Sequence, residues 1–206
     1  MAVISDYSTL QTAIGDYLAR SDLSGWIPNF IQNCENKLYR ELNLRNEETA
    51  LSVNVSSGVA AVPADFKALK FAYYNGNTAI PLQWVELDEL YRDYPSRSTG
   101  ATSSPSVISR EGSNFVFGPV AADGTAVLKG LYYAKQDPLR TTDPSWYVTN
   151  AAELLLYGSL LESAPFLKDD TRIPVWRQLY EEAKRTVQLE ECNSAHPTQA
   201  LKVRLG

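Results

Sequence analysis

Residues 7–46 carry two apolar stripes at helical spacing, separated by the polar residues 20–22. The first stripe comprises Leu10, Ile14, Tyr17 and Leu18, and the second comprises Ile27, Phe30, Ile31, Cys34, Leu38 and Leu42. Ser8 is placed to cap the first helix, and Pro28 falls in the first turn of the second, where its missing N–H costs little. The pattern predicts an N-terminal pair of helices.

The pattern changes between residues 47 and 149, where stretches rich in Val, Tyr, Phe and Thr alternate with turn residues. Residues 56–58 and 75–76 are turn signals of the kind that join antiparallel strands, and residues 85–91 predict a short helix. Residues 95–105 are almost free of apolar side chains, which predicts an exposed loop. We expect an inserted antiparallel β domain of about five to seven strands.

Helical spacing returns over residues 150–193, where Pro165 ends the first of two further helices. Residues 194–206 contain Pro197 and lack an apolar face at helical spacing, which predicts an extended tail. The four helices can bury their apolar stripes against one another. We therefore predict a mainly α, α+β fold: a four-helix bundle of two N-terminal and two C-terminal helices, a small inserted antiparallel β domain, and the extended C-terminal tail.

Composition favours an interaction protein over a nucleic-acid-binding protein. The net charge is −5 and the basic residues are scattered, so no basic stripe is available to hold phosphates. The chain contains 4 Trp, 12 Tyr and 6 Phe, and Tyr and Trp are enriched at protein interfaces. No apolar run approaches the roughly 20 residues that cross a bilayer, and the opening residues lack a signal-peptide pattern. We expect a protein made in the cytoplasm and without a membrane partner.

The residue types that carry catalysis are sparse. His196 is the sole histidine and lies in the predicted tail, while Cys34 and Cys192 are too far apart for a zinc pattern. The acidic pairs that could hydrolyse a glycosidic bond are found among Glu86, Asp88 and Glu89 and at Asp169 and Asp170. Such pairs also arise by chance and at helix starts, so we predict no catalytic, cofactor or metal site.

Two motifs are the most distinctive, Val62-Pro63-Ala64-Asp65-Phe66 and residues 155–170. Residues 7–23, 26–42 and 131–135 add to the pattern. Together they resemble the head-to-tail adaptor (head completion, connector) proteins of short-tailed and related bacteriophages, over roughly residues 7–192. The sequence is therefore identified with a family of structural virion proteins.

The resemblance implies a virion protein of the head–tail neck that forms a ring, usually of about twelve copies, beneath the portal protein and binds tail or nozzle proteins. It also implies that the tail reaches onto the portal, through His196, Pro197, Leu201, Lys202, Val203, Arg204 and Leu205. Packaged DNA would pass through the lumen without specific binding, because an acidic wall offers phosphates few counter-charges. A tail-tube or stopper component, a peptidoglycan hydrolase and a host-derived binding module remain alternatives.

Overall fold

The computed structural model describes residues 3–75, 79–96, 104–121, 127–167 and 170–195. The chain divides into two compact units. Met1–Asn46 and Asp137–Gly206 form the helical unit, and Glu47–Gln136 form the barrel unit, which is inserted between these two segments of the chain.

The elements of the described residues are, in chain order, α1 (Tyr7–Leu18), α2 (Ile27–Glu41), β1 (Glu48–Ser56), β2 (Val59–Ala61), β3 (Phe66–Asn75), β4 (Ala79–Trp84), α3 (Leu87–Asp93), β5 (Val107–Glu111), β6 (Asn114–Gly118), β7 (Val127–Ala134), α4 (Trp146–Asn150), α5 (Ala152–Glu162) and α6 (Ile173–Ala195). Short 3₁₀ segments occupy Ser21–Trp26, Arg45–Glu47 and Ala164–Phe166.

The residue that caps α1 is not the one that the sequence predicted. Asp6 caps the helix, because its carboxylate accepts a hydrogen bond from the Thr9 N–H at 2.8 Å while the Thr9 hydroxyl oxygen accepts from the Asp6 N–H at 3.0 Å. Ser8 therefore lies inside the first turn rather than at its cap. This reciprocal capping box satisfies two backbone donors that Ser8 could not reach together. Pro28 lies in the first turn of α2, as predicted.

Helix α5 lies at the centre of the helical unit and packs against α1, α2, α4 and α6. Its buried residues surround the helix instead of forming one face: Leu154, Leu155, Leu156, Gly158, Ser159 and Leu160. A helix that is apolar all round is stable only when neighbours cover every side. The other helices of the unit supply that cover.

Gly158 sets how closely α5 approaches two of these neighbours. A Cβ atom at this position would lie 2.3 Å from Sγ of Cys34 on α2 and 3.0 Å from a ring carbon of Tyr180 on α6. Both side chains are buried, so neither has free space into which to move. The missing side chain at Gly158 therefore allows three helices to meet at one point.

The barrel unit is a closed barrel with the strand order β1-β2-β6-β5-β4-β3-β7, in which β7 returns to pair with β1. The β4–β5 pair is parallel, and the other pairs are antiparallel. The core inside the barrel comprises Leu51, Val55, Ala60, Ala72, Tyr74, Ile108, Phe115, Phe117, Ala121, Leu128, Tyr132 and Ala134.

The predicted fold class is therefore wrong. Seven strands of the described residues close into a barrel, and the helical unit has five helices there instead of the four of a simple bundle. Closure depends on the pairing of β1 with β7, in which Glu48 faces Tyr133, and on the parallel pairing of β4 with β5. Alternation along the sequence indicates strands but does not reveal partners so distant in the chain, and for this reason it predicted a small antiparallel β domain and no closed barrel.

The recognised motif around Asp65 holds the start of β3 to β7. The Tyr132 hydroxyl donates to both carboxylate oxygens of Asp65, at 3.0 and 3.2 Å, and the Lys135 N–H donates to the Asp65 carbonyl at 2.7 Å. The Phe66 ring stacks on Tyr132 with centroids 5.7 Å apart and meets Phe115 edge-on at 5.3 Å. These contacts therefore fix the start of β3 against β7.

Strand β7 also depends on a glycine. A Cβ atom at Gly130 would lie 2.1 Å from the carbonyl oxygen of Phe71 and 2.8 Å from Cα of Ala72, beside the register shift between Leu69 and Phe71. Because these are backbone atoms of the neighbouring strand, they cannot rotate away. Gly130 therefore permits the bulged strand β3 to pair with β7.

We expect Gly158→Ala to destabilise the protein. Overpacking typically costs about 1–3 kcal/mol, which exceeds the roughly 1 kcal/mol that alanine gains over glycine in a helix. The free energy of unfolding from urea titrations followed by circular dichroism measures the effect. Gly15→Ala is the matched control, since its Cβ would meet only Ile27 Cδ1 at an ordinary 3.7 Å. The control should gain about 0.5–1 kcal/mol, and equal effects of the two substitutions would contradict the steric argument.

Candidate functional site

The acidic clusters singled out in the sequence lie at helix starts. Glu86, Asp88 and Glu89 are exposed at the beginning of α3. Asp170 precedes α6, where its carboxylate pairs with the Arg172 guanidinium at 2.7 Å and accepts from the Arg172 N–H at 2.9 Å. Negative side chains are favoured at helix N-termini, which accounts for these residues without catalysis. Asp169 lies outside the described residues.

The two cysteines differ in accessibility. Cys34 is buried on α2, and this burial raises the pKa of its thiol well above the usual range, so it is not a reactive nucleophile. Cys192 is exposed on α6. The described ranges contain no group of three or more His, Cys, Asp or Glu residues placed to hold a metal ion.

No helix in the described part of the chain combines the length and the apolar character needed to cross a membrane.

The predicted portal-binding residues fall outside the described part of the chain: His196, Pro197, Leu201, Lys202, Val203, Arg204 and Leu205. Helix α6 continues to Ala195, so the first two residues assigned to the tail are helical. Arg45 binds the end of this helix, because its guanidinium donates to the Ser194 carbonyl at 2.8 Å and its N–H donates to the Glu191 carboxylate at 3.1 Å. The point from which the tail leaves is thus fixed to the helical unit.

A pair of half-exposed aromatic side chains, Trp26 and Phe166, forms what we call the aromatic patch of the helical unit. Trp26 is 48% exposed and Phe166 is 39% exposed, and their ring centroids are 5.2 Å apart. Phe30, which is buried, supports Phe166 with a centroid separation of 5.3 Å. Arg20 holds the 3₁₀ segment that contains Phe166, because its guanidinium donates to the Phe166 carbonyl at 3.1 Å. Rigid, partly exposed aromatic side chains of this kind are typical anchors of protein interfaces.

The barrel unit carries its own exposed apolar side chains. Phe71 on β3 is 50% exposed and stands in register with Leu131 on β7, and the next outward position, Tyr73, is in register with Pro81 on β4. Ala72, between Phe71 and Tyr73, is buried in the core, so the alternation of the strand directs Phe71 and Tyr73 outward. We call Phe71, Tyr73, Pro81 and Leu131 the outer-wall patch. Contiguous apolar side chains on the outside of a barrel also indicate a surface that a partner covers.

Glu35 is a buried carboxyl group in the helical unit that the sequence interpretation missed. It is 3% exposed, its carboxylate accepts a hydrogen bond from the Leu139 N–H at 2.9 Å, and burial raises its pKa to about 7. Tyr7 and Arg140 line the small cavity of about 70 Å³ beside it. A perturbed carboxyl group can indicate catalysis, but this one holds the backbone of the segment that returns to the helical unit. The detectable signal was its spacing, four residues after Ile31 and three before Leu38, which places it on the buried face of α2.

Comparison with protein families shows what the chain is similar to. A family model described as "SU10 adaptor protein" matches residues 5–200. No curated protein matches the chain.

Glu35→Gln should remove a pH dependence of stability. Because the folded-state pKa of Glu35 is about 7 and its ordinary value is 4.5, the folded state holds the proton more tightly. The free energy of unfolding of the natural protein should therefore fall as the pH rises from about 4.5 to about 7. The glutamine oxygen still accepts from the Leu139 N–H, so at pH 8 we expect the variant to be more stable, by up to about 3 kcal/mol, because each unit of pKa shift corresponds to about 1.4 kcal/mol.

Urea unfolding at several pH values between 5 and 8 measures this difference. The matched control is Glu181→Gln, which removes an exposed carboxylate from α6 and should keep the slope of the natural protein. A Glu35→Gln variant with an unchanged slope would show that Glu35 does not titrate in this range.

Proposed function

Since the chain belongs to the SU10 adaptor protein family, we propose that it is a structural protein of a tailed-phage virion that joins the head to the tail. The family match over residues 5–200 is the observation that carries this proposal. The described residues are compatible with this proposal, because they include two exposed apolar patches that are suited to protein contacts.

The two patches support assembly into a ring. A head-to-tail ring requires two different contact surfaces on each copy, because each copy meets its two neighbours through unlike faces. The aromatic patch lies on the helical unit and the outer-wall patch lies on the barrel unit, so each chain carries two apolar surfaces made of different residues. We propose that at least one of them is covered by a neighbouring copy in a ring of about twelve copies.

The finer roles are those that the resemblance to phage adaptor proteins implies. We propose that Leu201, Lys202, Val203, Arg204 and Leu205, with His196 and Pro197, bind the portal protein, and that other surfaces meet tail or nozzle proteins. Arg45 binds the Ser194 carbonyl in α6 just before this segment, and this contact would transmit portal binding to the helical unit. We also propose that DNA passes through the lumen without specific binding, which the net charge of −5 favours. A ring whose lumen is dominated by Lys and Arg would contradict this last point.

Native mass spectrometry of the purified chain, alone and mixed with the portal ring of the same phage, tests the proposed function. We expect a stoichiometric complex on the portal ring. A chain that ignores the portal but binds tail proteins would be a tail-tube or stopper component, and a chain that binds neither would overturn the proposal.

Substitution of two tryptophans, one exposed and one buried, distinguishes an effect on ring assembly from an effect on folding. Trp26 is 48% exposed, whereas Trp176 is 3% exposed in the core of the helical unit. Trp26→Ala should change the free energy of unfolding by less than about 1 kcal/mol and weaken ring assembly at least about tenfold, as loss of an interface anchor does. Trp176→Ala should lower the free energy of unfolding by about 3–5 kcal/mol.

Urea titrations and native mass spectra of the two variants give both quantities. If Trp26→Ala assembles on the portal with unchanged affinity, the aromatic patch is not an assembly contact.

A further inference from the structure

A groove of about 590 Å³ runs along the helical unit between the beginning of α5 and the middle of α6. The apolar residues that line it include Leu154 from α5 with Leu179, Ala183 and Val187 from α6, and we call these four its apolar floor. The polar Thr149, Asn150 and Thr186 also line the groove. Leu154 and Val187 are buried, whereas Leu179 and Ala183 are half-buried and remain accessible from the groove. The groove is thus open enough to accept a further side chain against its floor.

The edges of the groove are acidic. Glu153 of α5 and Glu182 and Glu190 of α6 are exposed along it, and no Lys, Arg or His is found among the described residues that line it. An apolar floor between carboxylates favours a ligand with apolar side chains on one side and positive charges on the other. An extended peptide presents these two sides when apolar and basic residues alternate.

The chain itself contains such a segment directly after α6. In residues 196–206 the apolar Leu201, Val203 and Leu205 alternate with the basic Lys202 and Arg204, and no acidic residue is present. The rest of the chain therefore carries a net charge of −7, because the whole chain is at −5 and these two residues contribute +2. The segment has the alternation and the charge that the groove requires.

The length of the segment matches the groove as well. The α6 residues that line the groove run from Leu179 to Glu190, which is about 17 Å along a helix axis. Ala195 ends α6 only five residues beyond Glu190, and the eleven residues 196–206 can span at most about 36–40 Å when extended. Pro197 disfavours continuation of the helix, which allows the chain to turn back there. Enough residues remain after such a turn to follow the groove over its α6 length.

We propose that, in the unassembled protein, residues 196–206 bind in the α5–α6 groove of their own chain. Leu201, Val203 and Leu205 cover the apolar floor, and Lys202 and Arg204 lie beside the glutamates at the edges. The groove then competes with any external partner for this segment, so that partner binding must displace it. The proposal concerns the isolated chain and does not depend on the proposed head-to-tail role.

Disulfide cross-linking in the isolated full-length chain tests this placement. In a Cys192→Ser background, Val203→Cys is combined with Thr186→Cys, which lies in the groove. The matched control combines Val203→Cys with Gln188→Cys, which is exposed two residues further along α6 and does not line the groove. Successive helical positions are 100° apart and rise about 1.5 Å each, so positions 186 and 188 point to nearly opposite sides and differ by only about 3 Å along the helix axis. The remaining thiol, Cys34, is buried and does not compete.

We expect the 186–203 disulfide to form within one chain at least about tenfold faster than the 188–203 disulfide, because the groove raises the local concentration of the segment. The rates, normalised to the reactivity of each thiol with a small disulfide reagent, are read from non-reducing gels and mass spectra. Glu182→Lys with Glu190→Lys should remove most of this difference, and the further reversals Lys202→Glu and Arg204→Glu should restore it. Equal rates for the two pairs, or disulfides formed mainly between chains, would overturn the proposal. If the 186–203 disulfide forms as expected but the natural chain does not bind the portal ring, the head-to-tail role alone is contradicted.

Discussion

The helical unit depends on one close contact, the meeting of α5 with α2 and α6 at Gly158. Because α5 is apolar on all sides, its hydrophobicity alone does not determine which side faces which neighbour. The position of the residue without a side chain supplies that information, since Cys34 and Tyr180 can be accommodated only where no Cβ is present. The register of α5 against its neighbours thus follows from shape, whereas its burial follows from apolar area. Tyr180 and the helices that surround Gly158 also support the exposed surfaces of the helical unit.

A similar division holds in the barrel unit. The Tyr132–Asp65 hydrogen bonds and the stacked Phe66 ring close the interior, while Gly130 lets the bulged strand β3 approach β7. Exposed Phe71 lies on that same bulged strand, so its position is set by the pairing that Gly130 permits. In both units, rigid packing places exposed aromatic side chains at low entropic cost. Side chains held in this way lose little conformational entropy when a partner protein covers them.

The sequence predicted the features that depend on neighbours in the chain. Helical spacing located α1, α2 and α6, and turn residues separated the strands, because both signals are local. Barrel closure through β1 and β7 was missed because pairing partners about eighty residues apart leave no periodic signal. The candidate surfaces were missed for the same reason: Trp26 and Trp176 both lie near helix starts, and only tertiary packing leaves one exposed and buries the other. The buried carboxyl of Glu35 was detectable from its spacing, but its partner Leu139 was not, since they are 104 residues apart.

The contacts of Arg45 also have a mechanical meaning. Its guanidinium bonds to the last turn of α6 at Ser194, and its backbone N–H bonds to Glu191 one turn earlier. Charged donors at a helix C-terminus satisfy carbonyl groups that have no partner within the helix. A pulling force on the chain beyond Ala195 would therefore be shared between the hydrogen bonds of Arg45 and the backbone hydrogen bonds of α6. The last turn of α6 would therefore unfold only after the contacts of Arg45 had broken. Arg45 would in this way protect the helical unit from force applied through the residues after Ala195.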